Sequence, residues 1–392
     1  MKIFVILSRV PYPLEKGDKL RAFNQIRELS KRHEIYLCAL NDVALHPDAK
    51  SVLEKYCKEI YIYSISKWSI IINVLRFFFQ GKPLQCGYFY NAAIHKKILR
   101  LIATIQPDHI YSQLIRTAEY VKYCKVKKTI DYQDAFSKGA ERIMEKSSFW
   151  KRIFFRMEMK RLQQYERDIF DYFDNRTMIT KIDSLYINHP LAETITVVPN
   201  GVDFSVFSPI EKEKHFDLIF TGNFSYYPNI DAAIYFSQEI LPFIKEKHPT
   251  IRVAFCGANP SSKVLVLQNE NIIVTGWVND MKEYYAMSRI FMAPMRLGTG
   301  LQNKLLEAMA MRLPCVTSVL ASAPLNSGEK KNMLICNSPL DYATNINKLL
   351  SQPDFYQEIA TNGYQFVRQN YKWEDTTSIL ENLITNNESD KT

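Results

Sequence analysis

Lys304 and Glu307 stand three residues apart in GTGLQNKLLEAMA (298–310), behind two glycines, and these residue types at this spacing suit a phosphorylated ligand. Glycine at 298 and 300 lets the chain turn tightly and approach a ligand with no Cβ in the way. The run that follows reads as a helix. Its first amides have no internal partners, and together with the macrodipole they form an anion site. Lys304 adds a positive charge one turn in. Glu307 lies seven residues beyond Gly300, on the same face and about 10 Å along the axis from the helix mouth. Leu301, Leu305, Ala308 and Met309 fall on the other side as core. Diphosphate at the mouth and ribose hydroxyls on the carboxylate point to a nucleoside diphosphate. The alternative is a glycine-started helix whose Lys304–Glu307 pair is a surface ion pair. No Gly-Lys-Ser/Thr follows, so the stretch is not a Walker loop. Asn303 holds the third glycine's place, so it is not a dinucleotide fingerprint either.

The surrounding pattern supplies elements that could hold such a site. Strand-like runs KIFVIL (2–7), EIYLCAL (34–40), EIYIYSI (59–65), DHIYSQL (108–114), KKTIDY (127–132), TMIT (177–180) and TITVVP (194–199) alternate with helical patterns in the first half. In DKLRAFNQIRELSKR (18–32), Leu20, Phe23, Ile26 and Leu29 recur as one buried helix face. After VPNGVDFSVFSP (198–209) the alternation restarts with FDLIFTG (216–222), RVAFCG (252–257), NIIVTG (271–276) and IFMAPM (290–295). IDAAIYFSQEILPFIKEK (230–247) reads as an intervening helix. Repeated β-α-β units imply parallel sheets, with sites at the carboxyl ends of strands. The turn-rich connector marks a boundary between two α/β domains, 1–200 and 201–366, followed by a segment 367–386 that contains a last amphipathic helix, YKWEDTTSILENLI (371–384). The terminal NNESDKT reads as a frayed tail.

The 392 residues suit two domains. The net charge of +9 is uneven, with 33 Lys+Arg against 21 Asp+Glu through residue 200 and 17 against 20 beyond it. The first half should therefore meet an anionic partner or carry a solvated basic face. Seven scattered cysteines without a Cys-x-x-Cys pair favour a reducing compartment and argue against zinc. The apolar run of MKIFVILSR is too short for a signal peptide, and WSIIINVLRFFF (68–79) is too short to span a bilayer, so a cytoplasmic location is expected.

Taken in order, SRVPYPLEKGDKLRAF, VVPNGVD, FTGNFSYYPNIDA, VTGWVND, APMRLGTGLQNKLLEAMAMRLPCV and RQNYKWED resemble the GT-B glycosyltransferases, specifically the retaining family 4, glycosyltransferase group 1. The resemblance spans essentially the whole chain. GTGLQNKLLEAMAM is most similar to a subgroup of bacterial cell-surface polysaccharide sugar transferases. It implies two facing Rossmann-like, doubly wound parallel-sheet domains around a cleft, the first for acceptor and the second for donor, with the last helix crossing back to the first. Residue by residue, Glu307 matches the second glutamate of the family's Glu-x7-Glu motif and would hold the donor ribose. The first glutamate falls at Thr299 and is absent. Gly298, Thr299, Gly300 and Leu301 would contact sugar and diphosphate through backbone. After Gly222, Asn223 and Pro228 stand where the family has arginine and lysine, so Lys304 and Arg296 are expected to replace them. Val278 would read the base through backbone groups. Arg312 stands in place of the glycine that commonly ends the helix. Gly17 matches the glycine of the loop that closes over the donor, followed by Asp18, which could be the helix N-cap, and Arg21. Gln113 ends a strand near a histidine of the relatives, and Asp131 and Asp134 in DYQDAFSK are acceptor-side carboxylates or loop caps.

The chemistry so implied is sugar transfer from a UDP- or GDP-sugar to a saccharide or lipid-linked acceptor, with Lys304, Glu307 and Asp131 as the catalytic set. Fixed dipoles and a cation stabilise the departing diphosphate, the acceptor attacks on the leaving-group face, and no metal or other cofactor is required. SKWSIIINVLRFFFQGKP (66–83) and KSSFWKRIFFRMEMKRLQQYER (146–167) mix aromatic with basic residues. They are either core helices with charged outer faces or helices that lie on an anionic membrane surface, which would place the protein peripherally at its inner face. A nucleotide-sugar epimerase and a non-catalytic sugar-nucleotide or polysaccharide binder remain alternatives. Nucleic acid is not expected as a partner, since no RNA-binding signature accompanies the basic stretches.

Overall fold

The computed structural model describes residues 1–145, 147–298, 300–325 and 332–385. Thr299 and the terminal NNESDKT lie outside these. The chain divides into two compact units, Met1–Pro199 with the segment from Thr377 onward, and Asn200–Thr376.

In the first unit, β1 (Lys2–Leu7), β2 (Glu34–Asn41), β3 (Glu59–Ser64), β4 (His109–Gln113), β5 (Lys128–Gln133), β6 (Asn175–Met178) and β7 (Thr196–Val197) form one sheet in the order β3-β2-β1-β4-β5-β6-β7. Every pairing is parallel. Past its first residue, β1 is buried throughout. Alternate residues of a strand point to opposite faces, so Phe4 and Ile6 enter one core while Ile3, Val5 and Leu7 enter the other. Leu380 and Ile384 of the last helix, Trp373–Thr385, pack in the second of these cores with Ile26 and Leu37. Glu381 of that helix takes hydrogen bonds from Arg32 and His33.

In the second unit, β8 (Phe216–Thr221), β9 (Val253–Cys256), β10 (Ile272–Gly276), β11 (Ser288–Ala293), β12 (Cys315–Ser318) and β13 (Leu334–Cys336) form a parallel sheet in the order β10-β9-β8-β11-β12-β13. β12 and β13 are absent from the strands expected of the sequence, because runs of four and three residues are too short to show a period. The helix expected over 230–247 begins earlier and is interrupted. It runs Tyr227–Tyr235, widens into a π-helical turn at Phe236–Ile240 and resumes at Leu241–Lys245. Pro242 has no N–H to give and its ring crowds the carbonyl four residues back, and the wider turn before it relieves both problems.

The helix Asn303–Ala310 ends in a Schellman arrangement in which Arg312 N–H donates to Met309 O and Leu313 N–H to Ala308 O. The left-handed position of that cap is filled by Arg312 itself, at φ 55°. Its guanidinium lies 4.6 Å from the Tyr364 ring centroid.

Candidate active site

Strand order in the second sheet reverses between β8 and β11, and the crevice beyond the carboxyl ends at such a reversal is where open α/β sheets bind ligands. Two loops border it, one from Gly222 after β8 and one leading from β11 to Gln302. Asn223 folds the first loop, its Oδ1 accepting from Ser225 N–H (2.9 Å) and Oγ (2.7 Å). Asn229, on the helix that follows, donates to Asn223 O (2.9 Å) and accepts from Lys304 Nζ (2.7 Å). Nζ also sits 4.6 Å from the Phe220 ring centroid. A Cβ on Gly222 would come within 2.7 Å of Asn229 Nδ2 and 3.2 Å of Nζ, so this approach needs glycine.

The second loop extends further than the sequence implies. Gln302, with φ −87° and ψ 92°, precedes the first helical residue, Asn303, and its side chain caps no amide. Its Nε2 donates instead to Gly300 O (2.9 Å). Glu307 therefore lies four residues into the helix, about 6 Å along the axis, rather than two turns deep. The glycines precede the helix instead of opening it. Gly298 has φ 91°, a backbone state that favours glycine.

Lys304 and Glu307 have different partners. Tyr285 donates to Glu307 Oε2 (3.0 Å), and burial together with the Glu307 charge holds the phenol well above its ordinary pKa. With that proton committed, Thr221 Oγ1 at 2.9 Å is the donor to Tyr285. Glu307 Oε1 has no hydrogen bond among the described residues. Burial lowers the Lys304 pKa to about 7, against the opposing pull of Glu307. Burial likewise raises Glu307, and the Tyr285 hydrogen bond and the Lys304 charge only partly offset it. The site thus holds a cation and a carboxylate, both partly desolvated and so both responsive to a charged ligand.

Arg296 is a correction. It forms a two-pronged pair with Asp231 (3.2 and 3.1 Å), bonds Glu239 (3.1 Å) and lies 4.2 Å from the Tyr235 ring centroid. Two carboxylates thus already share its charge, although its side chain is 43% exposed. Leu301 packs against the core, and Val278 lies in the loop after β10. Asn303 Oδ1 accepts from Asn200 Nδ2 (3.1 Å), tying the helix start to the PNGVD connector.

In the first unit the strand order reverses between β1 and β4. Gly17 is the first residue of the helix Gly17–Leu29, whose N-cap position is Lys16. Asp18 is therefore not the cap; it pairs with Arg9 (2.8 Å). Asp131 and Arg21 are also corrected. Both side chains are fully buried and paired, Nε to Oδ2 at 2.7 Å and Nη2 to Oδ1 at 3.1 Å. Tyr111 and Thr177 donate to the same carboxylate, each at 2.9 Å. A carboxylate with four such bonds and no solvent surface holds the sheet together and has no room for an acceptor. Asp134 is different: it is solvent-accessible, yet set deep enough among protein atoms that desolvation, with the Asp183 charge next, raises its pKa to about 6. Gln113 is buried at the end of β4, and its Nε2 has no acceptor among the described residues.

Sequence reasoning missed several residues here. Arg9 and Arg116 both lie over the Phe89 ring, at 5.3 and 5.1 Å from its centroid, and Arg116 also lies 4.8 Å from that of Phe136. Burial, then the Arg9 charge, lowers the Arg116 pKa to about 10. No local spacing could reveal this pair, because only the β1–β4 pairing brings residues 9 and 116 together. Asn229 and Tyr285 were also missed, because only the folding of the second unit brings them to Lys304 and Glu307, 75 and 22 residues away.

Residues 215–352 match the family model Glycosyl transferases group 1. A protein of Klebsiella pneumoniae described as an uncharacterized 44.6 kDa protein in cps region is 21% identical, over 98% of this chain and 100% of its own length. Among solved structures, sucrose-phosphate synthase from Thermosynechococcus elongatus superposes with a TM-score of 0.70 at 12% identity, covering 98% of both chains. Anabaena HepE in complex with UDP and glucose gives 0.68 at 13% identity, covering 97% of this chain and 99% of its own. Residues 215–352 are thus a glycosyl transferases group 1 domain, in a chain with the two parallel sheets of the GT-B fold.

Proposed function

We propose that this protein is a retaining, metal-independent hexosyltransferase that moves a sugar from a UDP- or GDP-sugar to a saccharide or lipid-linked acceptor in bacterial cell-surface polysaccharide synthesis. The observation that carries it is the arrangement at the β8/β11 reversal: Lys304 held by Asn229 beside Gly222, with Glu307 oriented by Tyr285 one turn further on. The ribose hydroxyls donate to Glu307. The diphosphate takes the amides before and at the start of the Asn303 helix and the Lys304 ammonium. As the sugar's anomeric C–O bond to phosphate breaks, Lys304 meets the charge that develops on the leaving oxygen. The acceptor hydroxyl forms the new C–O bond on the same face and passes its proton to a diphosphate oxygen. On the acceptor side we keep Asp134, the carboxylate at the end of β5 that is open to solvent. The Klebsiella relative in a cps region and the UDP and glucose in HepE support the substrate class.

The test is a thermal-shift panel of nucleotide sugars, followed by product analysis with and without chelator. A UDP- or GDP-sugar should raise the melting temperature, and transfer with retained anomeric configuration should survive chelation. Failure of every nucleotide sugar to bind overturns the reading. Conversion of the donor without acceptor would mark an epimerase, and binding without turnover a binding protein.

A further inference from the structure

The first unit leaves two neighbouring helices with large apolar side chains in solvent. In the helix Lys67–Phe79 only Asn73 and Phe77 are buried, while Trp68 is 76% exposed, Ile72 63% and Phe79 83%. In the helix Phe149–Asp168 none of residues 149–157 is buried, with Phe149 69% and Trp150 78% exposed. Arg161 of the second helix donates to Phe78 O (2.9 Å) and lies 4.8 Å from the Phe78 ring centroid, so the two helices are neighbours. Glu158 accepts from Leu84 N–H (2.8 Å), which fixes the segment after the first helix against the second. The sequence pattern alone left these stretches open between core helices with charged outer faces and helices on a membrane surface; Phe77, Leu162 and Tyr165 enter the core, while Trp68, Phe79, Phe149 and Trp150 stay in solvent. Lys146, at the start of the second stretch, lies outside the described residues.

The charges carried by these stretches are mostly basic, although Lys82 is paired with Glu119 (3.0 Å) and the exposed Glu145 adjoins Arg152. Residues 66–83 contain Lys67, Arg76 and Lys82 and no acid. Residues 147–165 contain Lys151, Arg152, Arg156, Lys160 and Arg161, and their single acid, Glu158, is buried under Leu84. Aromatic side chains in a basic setting, two of them tryptophans, fit the boundary between headgroups and acyl chains of an anionic bilayer. A second copy on a two-fold axis would set this basic surface against itself, which disfavours a dimer. Among the described residues no helix is long and apolar enough to cross a membrane, so the contact would be one of lying on the surface.

We infer that the exposed faces of Lys67–Phe79 and Phe149–Asp168 together form a docking surface for an anionic lipid bilayer. The inference stands apart from the sugar-transfer reading. The full chain is floated with phosphatidylcholine vesicles and with mixed vesicles of phosphatidylglycerol and phosphatidylcholine, at low and raised salt. Binding to the mixed vesicles should exceed binding to the neutral ones by about tenfold and weaken as salt rises. Trp68→Ser with Phe79→Ser, and separately Lys151→Glu with Arg152→Glu, should each reduce it by about tenfold or more while leaving the melting temperature in place, since all four side chains are exposed. Equal binding to both vesicle types, or no loss in either double variant, overturns the proposal. So does absence of vesicle binding together with self-association that the apolar double variant abolishes.

Discussion

Asp131 and Asp134 lie three residues apart at the end of one strand, yet their surroundings give them different tasks. Removing one member of a buried ion pair leaves the other charged and desolvated, so Asp131→Asn or Arg21→Leu should destabilise the fold by about 3–5 kcal/mol, read as a lowered denaturation midpoint. Asp134→Asn should leave that midpoint in place and lower kcat or raise the acceptor KM. A catalytic loss for Asp131→Asn at unchanged stability would reverse the assignment. Lys304 carries a second prediction. Burial lowers its pKa to about 7, so near pH 8 most of it is neutral. A bound diphosphate favours the charged form and raises that pKa, so binding near pH 8 should draw about one proton from solution, and binding near pH 6 almost none. Calorimetry in buffers of different ionisation enthalpy measures this uptake, and Lys304→Met should abolish it. Lys304 and Glu307 were legible because their relation is local, set by one helix. Asp131 was misread because Arg21, the partner that explains it, lies 110 residues away in the chain.

Among the elements, paired glycines and one cap carry the testable content. A Cβ at Gly222 meets the far ends of two side chains, which can move, whereas one at Gly257 would lie 1.9 Å from Gly222 O, which cannot. Gly222→Ala should therefore displace Asn229 and Lys304 and weaken nucleotide binding by about tenfold with a modest stability change. Gly257→Ala should instead cost about 3 kcal/mol or more of stability. Equal melting temperatures for the two variants would contradict this division. At the end of the Asn303 helix, Arg312 holds the left-handed position with a side chain that lies over Tyr364. Arg312→Ala and Arg312→Gly both remove that contact, but only glycine relieves the backbone, so the glycine variant should be the more stable of the two by about 1 kcal/mol in denaturant melts. Strands such as β1, β2 and β8 were readable because strands buried on both faces are nearly continuous apolar runs. β13, three residues long, offers no such run, and the π-helical turn at 236–240 leaves the helical period intact on either side.

On the scale of the molecule, the restart of the β-α pattern after residue 200 and the shift from basic to acidic balance there are both plain in the sequence, and each half has its own sheet and core. What composition could not tell is where the excess positive charge goes: to Arg9 and Arg116 around Phe89, and to the exposed basic helices. The nucleotide is assigned wholly to groups of the second unit, and that separation can be measured by hydrogen exchange. A ligand at about one hundred times its Kd stabilises the state that binds it by about 2.7 kcal/mol, so amides of β8, β9 and β11 that exchange through opening of the second unit should slow about a hundredfold in UDP or GDP. Amides of β1, β2 and β4 should keep their rates, because the core they open with contains none of the proposed nucleotide contacts. Slowing confined to the first unit would mean that the nucleotide is held there, with Arg9 and Arg116 in place of Lys304. Equal slowing of both sets would mean that the two units open as one.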